Sequence, residues 1–593
     1  MTPKPKKAAG RANRPKAGRK ESVPARKRRS QASPGRRPAA PPVARPRFDL
    51  GDFGKSVDDR LRAWQSSGLA RRMWAKDPTL WGPAGTPEIG NRLGWLDLPR
   101  TMKAEAAGLR AFAAEARDEG FTHAVVLGMG GSSLAPDVFA RTFPPATGFP
   151  ELRVLDSTHP AAVDALERSI DLGRTLFLVS SKSGTTIEPL SFFRYFWSRL
   201  RGLTNSPGRN FAAITDPGTP LAALGRERGF RRVFLAPPDV GGRFSALTPF
   251  GLVPAALAGI DIPRLLDRAL AVARANGPRT PAARSVGLRL GAALGEYGEV
   301  RDKLTFLAPR SWATFPDWLE QLVAESLGKS GRGILPVAGE PRVPPSYYGE
   351  DRIFAVFGPE REPDGEIEET TAALARSGAP VIRFPVKDAY DLGSQMYVWE
   401  VAVAAAGAVL GVQPFDQPDV ELAKDLARKA MSSASGPAPR PSRVDSVSGG
   451  DSARLDEAIE GWLALSRPGD FVCLQAYLDP SPENERALQE IRELLLKRTR
   501  LATTFGFGPR FLHSTGQYHK GGPNRGLFLQ FVDEPDADLN VPESDYSFGR
   551  LIASQALGDY QALRRKGRRV LRVNLEEDAA GGLERARRAL VLP

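Results

Sequence analysis

Short apolar runs recur along the chain, each closed by a turn and followed by a helix-length segment of mixed polarity. HAVVLGMGG (123–131) ends in glycines and leads into SLAPDVFART (133–142). LRVLDST, TLFLVSS, FAAIT and RRVFLAP repeat the pattern to residue 237, with IEPLSFFRYFWSRL (187–200) among the helical segments between them. Apolar runs spaced by helices of about 10–15 residues predict a parallel sheet covered on both faces. Ligands of such sheets bind at the carboxyl ends of the strands. A second series starts near residue 280, with KLTFLAP, RIFAVFG and APVIRFPV as strands and a long apolar helix at 394–411. A third series, FVCLQAY, GLFLQF and RRVLRVNL, lies beyond a Ser/Pro/Gly-rich stretch at 431–450 that reads as a linker. Residues 52–115 read as helix and loop, with Trp64, Trp74, Trp81 and Trp95 as anchors.

Charge changes this picture only at one end. Residues 1–47 carry 16 Lys and Arg against a single acidic residue, Glu21, so the whole net charge of +15 lies there and the remainder is balanced. A Pro/Ala/Arg-rich segment of this kind buries too little apolar surface to fold and is expected to be disordered. It can tether the chain to polyanions by counterion release, or serve only as a solubilising extension. The body is not a nucleic-acid binder on charge grounds. The single cysteine, Cys473, excludes an intrachain disulfide and a cysteine-based metal site, which fits a reducing cytoplasm. No apolar run of membrane-spanning length and no secretory leader pattern is present, so no membrane association is expected.

The candidate chemistry sits at the turns. SSKSGTT (180–186) follows a strand and opens a helix. Ser181, Ser183, Thr185 and Thr186 offer hydroxyls, Lys182 a charge, Gly184 close backbone approach, and the helix terminus free N–H groups, which together suit a phosphate monoester better than simple capping requires. GMGGSSLAP (128–136) is a second Gly-rich turn. Its rival reading, a dinucleotide fingerprint, has Ser133 where the third glycine belongs, so Gly131 and Ser132 are placed at a sugar phosphate instead. GGRFSALTP (241–249) hinges Arg243 on two glycines. In PDWLEQLVAESLGK (316–329), Gln321 and Glu325 are four apart and share one helix face. QPFDQPDVELAK (413–424) presents Gln417 and Lys424, and RFLHSTGQYHKGGPNRG (510–526) holds His513 and His519, two of the four histidines. The last segment lacks the spacing of a metal site. Taken singly, a Gln–Glu pair, a surface Lys or a Gly-flanked Arg is ordinary helix or loop decoration.

Together, GMGGSSLAP, SSKSGTT, GGRFSALTP, ESLGK and FDQPDVELAK resemble, in order, the signatures of the phosphoglucose isomerase family. RLGWLDLP, WAKDPTLW and LHSTGQYHKGGPN resemble, within it, the isomerase half of fused transaldolase–phosphoglucose isomerase proteins. The 47-residue tail is too short to hold a transaldolase half. The resemblance covers about residues 50–590. It implies an α/β fold of two SIS (sugar-isomerase, flavodoxin-like) parallel-sheet sandwich domains at 116–275 and 276–430. A helical segment at 48–115 precedes them, and a C-terminal α/β segment at 451–593 follows the linker. It further implies reversible interconversion of glucose 6-phosphate and fructose 6-phosphate through a cis-enediol, with a small sugar phosphate as ligand and no metal or redox cofactor. Glu325 would be the base and Arg243 the group that stabilises the enediolate. Lys424 and a histidine would assist ring opening. Ser181, Lys182, Ser183 and Thr186 would hold the phosphate, with Ser132 and Gln321 near the sugar.

One departure is visible. The family's histidine lies between the glutamate and the lysine, and here no histidine does. His513, with His519 second, is expected to return to the cleft from a relocated segment. Family members are commonly dimers whose partner helps complete the site, so a homodimer or a self-sufficient monomer is expected. The alternatives are an isomerase that also accepts mannose 6-phosphate, a non-catalytic sugar-phosphate-binding SIS regulator, and a nicotinamide-dependent oxidoreductase resting on GMGGSS.

Overall fold

The computed structural model describes residues 45–298, 300–360, 364–432 and 445–591, and these belong to one compact unit. The expected disordered tail lies outside the described residues up to position 44. Its last residue, Arg47, opens a strand, β1 (Arg47–Asp49). Most of the expected linker, 433–444, also lies outside the described residues.

Three five-stranded sheets carry the fold. The first holds β2 (His123–Gly128), β3 (Glu151–Leu155), β4 (Thr175–Ser180), β5 (Phe211–Thr215) and β6 (Arg232–Leu235), in the order β3-β2-β4-β5-β6 and wholly parallel. The second holds β7 (Lys303–Leu307), β8 (Leu335–Val337), β9 (Arg352–Pro359) and β10 (Val381–Val386), with β1 antiparallel on its edge. Residues 51–118 are mainly helical, and the chain enters them through a strand of the second sheet. The C-terminal segment is more than a completing layer. It forms a third parallel sheet from β11 (Val447–Ser448), β12 (Phe471–Tyr477), β13 (Ala502–Phe507), β14 (Gly526–Val532) and β15 (Arg569–Asn574), in the order β11-β15-β14-β12-β13.

Side-chain alternation sets the faces. In β12, Val472, Leu474 and Ala476 enter a core with Leu488, Leu529 and Leu583. Phe471 and Cys473 point the other way and meet Ala324, Leu335 and Val337 of the second sheet's layer. The edges of the second and third sheets are tied by buried charge. Arg492 donates to Ala338 O and Gly339 O, both at 2.8 Å, and Glu340 accepts the Thr503 N–H at 2.7 Å. Between the first two sheets lies one large apolar core, through which the helix Asp391–Leu410 runs almost wholly buried. An apolar surface all round is what a central helix requires. Among the described residues, no helix is long and apolar enough to cross a membrane.

Candidate active site

Four strand-to-helix turns and one loop from the third sheet converge on a cavity of about 530 Å³. β4 ends at Ser180, and the helix Ile187–Arg201 begins after Thr186. The loop between is pre-shaped. Ser181 Oγ lies 2.9 Å from Thr186 Oγ1 and accepts the Gly184 N–H at 3.1 Å, and Ser183 Oγ lies 2.9 Å from Thr185 Oγ1. Gly184 has φ +69°, and a Cβ there would come within 2.9 Å of Thr219 Cβ. Thr186 is the N-cap residue but its hydroxyl makes no capping bond, so the helix terminus stays open to an anion. Lys182 is paired with Asp216, whose carboxyl burial pushes upward against that lysine.

Arg243 occupies the turn Gly242–Phe244 and is only 2% exposed. Its turn fits the other glycine loop closely, since a Cβ on Gly131 would fall 2.1 Å from Gly242 O. The guanidinium spends all its donors: Nε on Ser326 Oγ (2.8 Å), Nη1 on Gln417 Oε1 (2.7 Å) and Glu325 Oε2 (3.3 Å), Nη2 on Pro414 O (2.6 Å) and Asp416 O (2.8 Å). Burial lowers its pKa, opposed by Glu325 and Asp416. Lys329 clamps the same 413–416 segment through Gln413 O and Asp416 Oδ1, the latter at 2.6 Å.

Glu325 and Gln321 lie one turn apart on the helix Phe315–Leu327, which is buried on almost every side rather than half-exposed. Gln321 Nε2 donates to His513 O at 2.8 Å, and its Oε1 is buried with no hydrogen-bond partner among the described residues. Burial raises the Glu325 pKa, and Arg243 and then His513 oppose that rise. Lys424, on the helix Glu421–Ser432, stands half-exposed at the mouth and donates to Glu421 at 2.8 Å.

His513 closes the turn Arg510–His513 after β13 and lines the cavity. Its Nε2 lies 3.0 Å from Glu188 Oε1. Glu188 is 4% exposed. Burial pushes its carboxyl up, but His513, with Lys424 further off, outweighs this and the net direction is down. The turn is seated by Arg510, which donates to Asp156 at 3.0 Å and Asp137 at 2.9 Å.

Twelve of the thirteen residues singled out in the sequence line this one cavity: Gly131, Ser132, Ser181, Lys182, Ser183, Thr186, Arg243, Gln321, Glu325, Gln417, Lys424 and His513. His519 does not, and its expected place at the substrate is corrected. It is 2% exposed, with ring centroids 5.1 Å from Phe528 and 5.8 Å from Phe511, and its Nε2 is 3.6 Å from Cys473 Sγ. Burial holds its pKa well below the ordinary value. Six residues after His513, the short helix Gly516–Gly521 has turned it into the core. Sequence reasoning missed Glu188, Arg510 and Lys329. Glu188 left one trace, an acid among apolar residues in the first turn of a buried helix.

This arrangement, with hydroxyl and glycine turns at the carboxyl ends of a parallel sheet and a carboxylate–guanidinium pair opposite, defines a phosphosugar protein of the sugar-isomerase fold. A family model described as phosphoglucose isomerase matches residues 110–331. The chain belongs to the phosphoglucose isomerase family. A glucose-6-phosphate isomerase of Thermus thermophilus is 30% identical over 58% of this chain and 91% of its own length. That of Heliobacterium modesticaldum is 32% identical over 55% and 84%. Among solved structures, a hypothetical protein from Thermus thermophilus superposes with a TM-score of 0.56 at 28% identity, covering 65% of this chain and 99% of that one. A glucose-6-phosphate isomerase from Chlamydia trachomatis shares the fold, with a TM-score of 0.52 at 21% identity over 64% and 87%. The family match ends at residue 331, so Lys424 and His513 join the site through the structure.

Proposed function

We infer that the protein interconverts glucose 6-phosphate and fructose 6-phosphate, a reaction shared by glycolysis and gluconeogenesis. The observation that carries this reading is the Glu325 carboxylate set against the Arg243 guanidinium, on the wall of a cleft whose other side is the hydroxyl loop. A C–H beside a carbonyl is only weakly acidic. Its removal needs a positioned base and a fixed positive charge where the enediolate oxygen develops.

The sugar enters with its phosphate against Ser181, Ser183, Thr186 and the helix terminus behind them. Lys182, held by Asp216, adds positive charge at the rim. Ring opening removes a proton from the anomeric hydroxyl and supplies one to the ring oxygen as the C1–O5 bond breaks. His513 and Lys424 are the proton-carrying groups for this step. With His513 Nε2–H directed at Glu188, Nδ1 is left bare to exchange a proton with the sugar. On the open chain, Glu325 takes the proton from C2, giving a cis-enediol(ate) whose charge Arg243 stabilises. The same carboxyl returns the proton to C1 while the O2 hydroxyl proton passes to O1, so the C2 carbonyl of fructose 6-phosphate forms with no net change in protons. Burial suits Glu325 to the task by raising its basicity.

The test is conversion of fructose 6-phosphate, read by an NADP-linked glucose-6-phosphate dehydrogenase. Glu325→Gln is expected to lower kcat by about 10³-fold with an unchanged thermal midpoint. A folded variant turning over at the wild-type rate would remove Glu325 as the base.

A further inference from the structure

Resting on the reading of His513 as a ring-opening group, we propose that Gln555 is a positioning residue for that step: it fixes the Glu188 carboxylate that orients the His513 imidazole. Gln555 lies on the helix Phe548–Arg565, which packs beside the third sheet, and touches no wall of the sugar-phosphate cleft itself. Its Nε2 donates to Glu188 Oε1 at 2.7 Å, the same oxygen that faces His513 Nε2 at 3.0 Å. Its Oε1 accepts from Thr158 Oγ1 at 2.8 Å. Gln555 is 5% exposed, Glu188 4% and Thr158 fully buried. An ionised carboxylate can only accept, so the amide must present its NH₂ to Glu188, and the Thr158 hydroxyl must donate to the amide oxygen. The orientation of every member of the chain Thr158–Gln555–Glu188–His513 is thereby set by chemistry.

The parts come from different elements. Thr158 follows β3, Glu188 opens a helix after β4, and both belong to the first sheet's layers. His513 arrives on a turn from the third sheet. The helix carrying Gln555 bridges them. Without its amide, the carboxylate keeps only His513 and the backbone N–H at its own position, its oxygens gain room to rotate, and the imidazole loses its preference for the Nε2–H tautomer. The charged groups around the chain are His513 and Lys424, Lys520 with its partner Asp559 one turn along from Gln555, the pair His159–Asp533 beside Thr158, and Arg194, Arg428 and Glu421 across an adjoining cavity of about 700 Å³.

The experiment compares two substrates in the full-length protein. Glucose 6-phosphate is cyclic and must be opened. 5-Deoxyfructose 6-phosphate has no hydroxyl at C5 to close on C2, so its proton transfer is read alone, as deuterium incorporation at C1 in D₂O by NMR. Gln555→Leu is expected to cut kcat on the cyclic substrate about tenfold with KM little changed, and to leave the open-chain exchange within about twofold. Gln555→Glu is nearly isosteric and gives a sharper signal. At low pH its carboxyl carries a proton and donates to Glu188 as the amide did. As pH rises through about 6–8 the two carboxylates repel, and the ratio of cyclic to open-chain rates should fall by about tenfold. Using the ratio cancels the ionisation of Glu325. Equal losses on both substrates, or a flat ratio in Gln555→Glu together with an undiminished one in Gln555→Leu, overturn the proposal. Full turnover of the cyclic substrate in His513→Ala overturns instead the ring-opening reading beneath it. If Gln555→Leu does not fold, the pH profile of Gln555→Glu decides alone.

Discussion

Glu325 and Arg243 are set against each other in a place where water is scarce, and each moves the other's proton affinity. Burial raises the Glu325 pKa and Arg243 opposes it. The base works when ionised, so kcat/KM should rise with pH through the folded-state pKa of Glu325, above the ordinary glutamate range. Removing Arg243 removes the opposing charge. In Arg243→Gln the acid limb should therefore shift to higher pH, and kcat should drop by about 10²–10³ as enediolate stabilisation is lost. A limb that stays in place would assign it to another group. Spacing alone shows that Gln321 and Glu325, four apart, share a helix face; the expectation that Glu325 works with Arg243 comes from the resemblance, since each taken singly is ordinary helix or loop decoration. Glu188 is barely legible, because an acid among apolar residues in a first turn also suits a helix dipole. Its partners His513 and Gln555 lie 325 and 367 positions along the chain. The reading of His519 fails for a related reason: a polar loop motif does not reveal which of its residues a short helix turns inward.

At the level of elements, the site depends on how the turn Arg510–His513 is seated. Arg510 makes its ion pairs with Asp137 and Asp156 of the first sheet's layers, and its side chain is about a quarter exposed. Arg510→Leu leaves two carboxylates short of a partner and should cost about 2 kcal/mol, seen as a lower urea midpoint. Arg510→Leu combined with Asp156→Asn should recover part of this loss, and a variant as stable as wild type would mean that packing alone holds the turn. The strands that apolar runs predicted are present, since a fully buried parallel strand must be apolar on both faces. β13 escaped because four of the six residues of ATTFGF are small or polar, and β8 because three residues leave no period to read. β1 and β11 are edge pieces of three and two residues whose partners lie far away in the chain. No local pattern encodes such pairings.

For the molecule as a whole, each group assigned to the chemistry comes from one chain. The first sheet brings the phosphate loop and Arg243, the second Glu325 and the third His513, while Lys424 comes on a helix packed against Phe548–Arg565. Specific activity should therefore stay constant on dilution through any oligomer dissociation followed by sedimentation. A fall that tracks the loss of a dimer would mean that a second copy completes the site. That a third sheet exists at all was only partly readable: its strands stood out, but their closure into a separate parallel sheet reflects long-range order.

A cleft shared among three sheets also makes the substrate a fastener. A sugar phosphate bound in this cleft would touch side chains from all three layers, and the folded state would gain whatever free energy the ligand contributes. At a concentration one hundred times its dissociation constant that gain is about 2.7 kcal/mol. By the same linkage the supply of sugar phosphate should set the folded protein's resistance to unfolding as well as its flux, and the thermal midpoint should rise with added fructose 6-phosphate.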